Sequence, residues 1–185
     1  MSIYKSIVEF WFNNRKNWFK TSNIFDNLCK NKFEGLFEKY EVISIDYKDK
    51  YQILGKIILL DQLSRNIFRN CEKSYQYDNE ACNLTLSNLS LHLEFDGYEK
   101  LFFLKPLEHS ENFIIQKQNL LIWKSIIDYY LTDYDSLYER HIKIAYHHYR
   151  VIEKFNRFPK RNEYLYRKST KDELKYLKNN KQTFI

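Results

Sequence analysis

Three short stretches of this sequence hold the residue types from which a reactive or binding site is built. In LLDQLSRNIFR, residues 59–69, Asp61 and Arg65 stand four apart within an apolar helical stripe, with Asn66 and Arg69 beside them. Leu54, Ile57, Ile58, Asp61, Arg65 and Phe68 share one helix face at spacings of three or four. PLEHSENFIIQ, 106–116, brings His109, Ser110 and Glu111 to an expected helix start just after Pro106. FNRFPKRN, 155–162, leads Arg157, Arg161 and Asn162 from the end of the His148 helix into a proline turn, and Arg167 follows. Charge on an apolar face is costly unless it is paired and hydrogen-bonded. Asp61, Arg65, His109, Glu111, His148 and Arg161 are therefore expected to converge in one place.

The chemistry such a cluster offers is of two kinds. The guanidinium forks of Arg65, Arg69, Arg157, Arg161 and Arg167, with Asn66 and Asn162 among them, suit a phosphate or carboxylate. A helix start at Ser110-Glu111 would add backbone donors for the same anion. If the site is catalytic, His109 or His148 would move protons and Asp61 or Glu111 would orient them. The same residues also read as structure. On that view Asp61–Arg65 is a buried ion pair, Glu111 a helix-start cap, Arg157 and Arg161 clamps on helix-end carbonyls, and His148 a core histidine. Removing Asp61 would then cost roughly 3 kcal/mol or more, through an unpaired Arg65. No metal or cofactor is expected. His141 and His148 share a face but lie two turns apart, roughly 10 Å along the axis, and no metal-binding spacing such as HExxH occurs.

The elements that would position these residues are helices. Only three glycines and two prolines punctuate 185 residues, too few for a sandwich or barrel of this length. A helix over 3–12 carries Ile3, Ile7 and Trp11 at spacing four. Thr21-Ser22-Asn23 caps a second, whose stripe runs through Phe25, Leu28, Cys29, Phe33, Leu36, Phe37 and Tyr40. The third, over 48–69, is apolar almost all round and should be central. A fourth starts near Asp78 with Cys82, Leu86, Leu89 and Leu93 as its row. After the Asp96-Gly97 turn a short helix is expected to stop before Pro106. His109–Tyr130 reads as a long helix with Trp123 and Ile126 inward, and 135–155 as another, with His141, Ala145, His148 and Ile152 in register. Thr170 and Glu173 form a capping box for a last helix that buries Leu174 and Leu177.

The 185 residues read as a single helical domain. Its end is basic: residues 154–185 hold ten Lys or Arg against three Asp or Glu, concentrated in a last helix and tail at about 165–185. A solvated surface accounts for that charge, and nucleic acid is not an expected partner. Three cysteines without paired or metal-type spacing, and no apolar run of membrane length, point to the cytoplasm.

The motifs resemble those of the bacterial domain-of-unknown-function family numbered 924. Its patterns are FWF near the start, LLDQ-x-x-RN-x-x-R, P-x-x-HSE with a later Gln, and H-x-x-I-I-x-x-FGRFPHRN followed by R-x-ST-x-E-E. They are matched here by Phe10-Trp11-Phe12, by Asp61-Gln62 with Arg65-Asn66 and Arg69, and by Pro106 with His109-Ser110-Glu111 and Gln116. His148 with Phe155 to Asn162, then Arg167 and Ser169-Thr170, match the last. Asn156 replaces the family glycine and keeps the left-handed turn accessible. Lys160 replaces a histidine, and the linker between the second and third helices lacks the family's tryptophan. The resemblance implies an all-α, tetratricopeptide-like, right-handed array of roughly six to eight helices. It leaves two functional expectations. One is a small anionic ligand held by the Asp/Arg/His/Glu cluster, with or without catalysis. The other is an interaction module for a peptide or protein partner in which the cluster is purely structural.

Overall fold

A computed structural model describes residues 2–129 and 135–180, and all its regular elements are helical; no strand occurs among the described residues. The chain divides into two compact units, Met1–Phe95 and Asp96–Ile185.

In the first unit the helices are α1 (Ile3–Asn13), α2 (Asn23–Phe33), α3 (Lys50–Ile57), α4 (Ser64–Ile67) and α5 (Asp78–Ser87). Between α3 and α4 the chain makes a π-helical segment, Ile58–Leu63. Ser2, Ser22 and Asp49 cap α1, α2 and α3, each accepting a backbone N–H of the first turn. Ile53, Leu54, Ile57, Ile58, Leu59, Leu60 and Leu63 are all fully buried, as an all-round apolar helix requires. Here α1 packs on α3 so closely that a Cβ on Gly55 would lie 2.1 Å from the Tyr4 carbonyl oxygen. Two expectations change. The second helix stops at Phe33 and a 3₁₀ turn, Glu34–Glu38, carries on; Phe37 and Tyr40 are still buried, but Leu28 is half exposed. The fourth helix stops at Ser87, and its expected last inward residue, Leu93, lies in a following 3₁₀ turn and faces out.

In the second unit the helices are α6 (Gly97–His109), α7 (Phe113–Tyr129), α8 (Asp135–Phe155) and α9 (Lys171–Asn179). The short helix expected to stop before Pro106 instead runs through it to His109. An internal proline costs about 3 kcal/mol or more. Leu101, Phe102, Phe103, Leu104 and Leu107, all fully buried on both sides of Pro106, offset that cost. The next helix accordingly starts at Phe113, not His109, with Asn112 Oδ1 accepting the N–H groups of Ile114 and Ile115. Phe113 touches Tyr149, while Trp123 touches Tyr138 and His141, so α7 and α8 run antiparallel. The Thr170–Glu173 capping box forms at α9. That helix buries Glu173 rather than Leu174, which is exposed, or Leu177, which is half-buried. Asn156 takes the left-handed conformation at φ 55°. Tyr130 and the tail beyond residue 180 lie outside the described residues.

Candidate functional site

The sequence-derived candidates fall into both units. In the first, the π segment places Asp61, fully buried, one turn before Arg65. The guanidinium lies 3.3 Å from the Asp61 carboxylate, donates to the Asp61 carbonyl at 2.7 Å, and reaches Asp78 at 2.9 Å. Burial disfavours the charged guanidinium, but Asp78 and Asp61 outweigh it and raise its pKa further. Arg69 forks onto Asp26 at 2.6 and 2.9 Å, and Asn66 donates to the same carboxylate at 2.7 Å. The motif therefore ties α4 to the first turn of α2 and to the start of α5. Neither Asp26 nor Asp78 was among the sequence candidates. Their signal, an acid in the first turn of a helix, is too common to single them out.

In the second unit Phe158 is the hub. Its N–H donates to Glu111 at 2.8 Å, its carbonyl accepts from Arg167 at 3.3 Å, and its buried ring carries the Arg161 guanidinium at 4.6 Å. His148 meets the same ring edge-on at 5.4 Å. Arg167 grips Glu111 with two bonds of 2.7 and 2.9 Å. Burial alone would raise the Glu111 pKa, yet Arg167, the Phe158 N–H and Arg161 together hold it below its ordinary value. Arg161 donates to the His109 carbonyl at 2.9 Å, a clamp on the last residue of α6. Gln116 completes that clamp, its amide donating to the carbonyls of Glu108 and Ser110 at 2.7 Å each. Glu111, His148, Arg161 and Arg167 thus gather around one phenylalanine, and Arg161 ties the backbone of His109 to them. Glu111 is not the cap of α7. Because the α6 helix overruns Pro106, that place belongs to Asn112, and no uncapped helix start stands at Ser110-Glu111 to receive an anion.

Beside the hub, Arg157 forks onto Glu173 at 2.6 and 2.8 Å and donates to the Lys168 carbonyl at 3.0 Å. Arg157 is the main reason that the Glu173 pKa falls to about 2. Asn162 donates to Ser169 at 3.0 Å. An open cleft of about 480 Å³ lies here, with Lys154, Asn156, Arg157 and Thr170 among its walls.

A further group, missed from the sequence except for His148, lies among α6, α7 and α8. Glu108 is fully buried, with Lys105 Nζ at 2.7 Å and His148 Nδ1 at 3.9 Å from one carboxylate oxygen. Trp123 stacks on His141 at 5.7 Å. Burial drives the His141 pKa down to about 2, with Lys105 and Arg140 adding to the effect, so the ring is neutral at working pH. The spacing of Lys105 and Glu108, three apart, was readable; an expected helix end at Pro106 hid it. Among the described residues no three His, Cys, Asp or Glu could hold a metal ion, and no helix is long and apolar enough to cross a membrane.

Comparison with known proteins adds a family and a fold. The model of a family described as bacterial protein of unknown function (DUF924) matches residues 7–181. The chain is similar to a solved structure of a protein of unknown function from Agrobacterium tumefaciens, with a TM-score of 0.81 and 26% identity over 96% of this chain and 98% of that one. No curated protein matches.

Proposed function

We propose, for a chain that belongs to the bacterial family of unknown function DUF924, that it binds a small anionic molecule, a carboxylate or phosphate, inside the unit Asp96–Ile185. One observation carries the reading: Glu108, fully buried, meets Lys105 from its own helix and His148 from α8. Three titratable groups brought together at that depth are expensive and seldom needed for folding alone. Lys105 and His148, both beside Glu108, offer an incoming anion two partners. Arg157, Arg161 and Arg167 lie in the same unit as this site. Each carries a carboxylate or carbonyl partner within its own unit, so they hold the ends of α6, α8 and α9 in place. Titration calorimetry with succinate and with inorganic phosphate tests the reading. The parent is expected to bind at least one of them, and Lys105→Met to bind it at least about tenfold more weakly. No heat of binding from either anion would overturn it.

A second reading draws on a different surface. In a tetratricopeptide-like, right-handed array the chain would hold a peptide or protein partner. Ile114 and Leu121 of α7, 73% and 56% exposed, favour it as apolar anchors in water. Selection from a peptide library on the immobilised chain, repeated with Ile114→Glu and Leu121→Glu, would separate the readings. Peptides lost in both variants support the module; peptides indifferent to both exclude this face.

A further inference from the structure

Gln116, Asn119 and Trp123 stand on one face of α7 at spacings of three and four, a row roughly 10 Å long. All three are fully buried or nearly so, and Asn119 has no protein partner at either its Nδ2 or its Oδ1. Trp123 Nε1, Gln116 Oε1 and His141 Nδ1 are likewise without one. Each such group forfeits about 1–3 kcal/mol of hydrogen bonding to water, so an apolar row would fold better. The antiparallel register that sets Trp123 against His141 brings Ala145 across from Asn119, one turn further along each helix. The smallest side chain with a Cβ therefore faces the largest unmet hydrogen-bonding demand. At the Gln116 end of the row, its amide already donates to the carbonyl of Glu108, next to the charged group.

We propose that this row takes the uncharged end of the ligand, a carboxamide or lactam whose adjacent N–H and C=O pair with the side-chain amide of Asn119. The inference rests on the reading that Lys105 and His148 receive the anion, and it makes the ligand a carboxylate or phosphate bearing an amide. Donor and acceptor lie side by side in one plane on Asn119, so an amide edge satisfies both at once and a carboxylate or methyl satisfies one or neither. Trp123 Nε1 supplies one more donor for a carbonyl oxygen. Neutral His141 adds no charge that would draw a second anion to this end.

Three probes of matched length test it by calorimetry on the full chain: succinamate, which pairs a carboxylate with a primary amide, succinate, and butyrate. The parent is expected to bind succinamate at least about tenfold tighter than butyrate, the yield of one well-made hydrogen-bonding pair. Asn119→Leu is expected to bind the two alike. Trp123→Phe, which keeps a ring but removes the N–H, is expected to lower the succinamate preference several-fold and guards against a misfolded Asn119 variant. A parent that binds succinate but does not prefer succinamate to butyrate overturns the inference and leaves the anion reading standing. Failure to bind any of the three, or inorganic phosphate, overturns both. A parent with no preference, together with an Asn119→Leu protein more stable than the parent, means that the row holds buried water only.

Discussion

At the residue scale, the charged motif is mostly a set of ties. The spacing of Asp61 and Arg65 announced a pair, but the partner that decides its energetics, Asp78, lies in another helix and was invisible in the sequence. That partner revises what deletion does. Asp61→Ala leaves Arg65 held by Asp78 and is expected to cost about 1–3 kcal/mol, less than an orphaned guanidinium would. Asp61→Ala with Asp78→Ala strips both carboxylates and is expected to lose more than the two single losses together. Urea melts of the four proteins read this directly; simple additivity would mean that the acids act independently. His141 gives a second residue-scale expectation. Its folded pKa, near 2, lies below the ordinary histidine value, so below about pH 6.5 the unfolded chain binds a proton there that the folded chain refuses. Stability is therefore present above that pH and falls as acid is added, by at most about 1.4 kcal/mol per pH unit from this group. The fall should be shallower in His141→Gln. Equal slopes for both proteins between pH 7 and 5 would place His141 in water.

At the element scale, helix periodicity carried the description far and helix ends did not. Caps with a side-chain mechanism, Ser22 at α2 and the Thr170–Glu173 box at α9, were legible because their donors are local. The π segment at Asp61 was not, nor was the overrun at Pro106, which burial of neighbouring apolar residues decides. The turn after Asn162 is of the same kind. Tyr166 sits at φ 53°, strained for a bulky residue, with its side chain almost wholly exposed. This kink lets the chain turn back, Arg167 N–H bonding the Asn162 carbonyl at 2.8 Å, and delivers Arg167 to Glu111. Strain of this sort costs about 1–3 kcal/mol. Tyr166→Gly removes it and loses no buried contact, although glycine brings back unfolded-chain entropy. The variant is expected to match the parent or gain up to about 1 kcal/mol in thermal or urea melts. A loss above about 1 kcal/mol would show that the tyrosine ring itself holds the turn.

At the scale of the whole molecule, an all-α chain was readable from scarce turn residues and helical spacing, and its family from motif order; the comparisons agree on both. The site was only half readable. Arginine-rich turns drew attention because charge is conspicuous in a sequence. Asn119, Gln116 and Trp123 look like ordinary helix residues until their burial and missing partners are known. The molecule's polar residues divide into a frame, which carries the motif, and the proposed ligand layer, which largely does not. Thermal shifts with succinamate, succinate and phosphate, measured on the parent, Arg157→Gln and Lys105→Met against their own ligand-free midpoints, test that division most directly. The frame variant Arg157→Gln is expected to melt earlier yet respond to the ligand as the parent does, while Lys105→Met loses the response. A Lys105→Met protein that still responds, beside an Arg157→Gln protein that does not, would put the ligand on the arginines and contradict it.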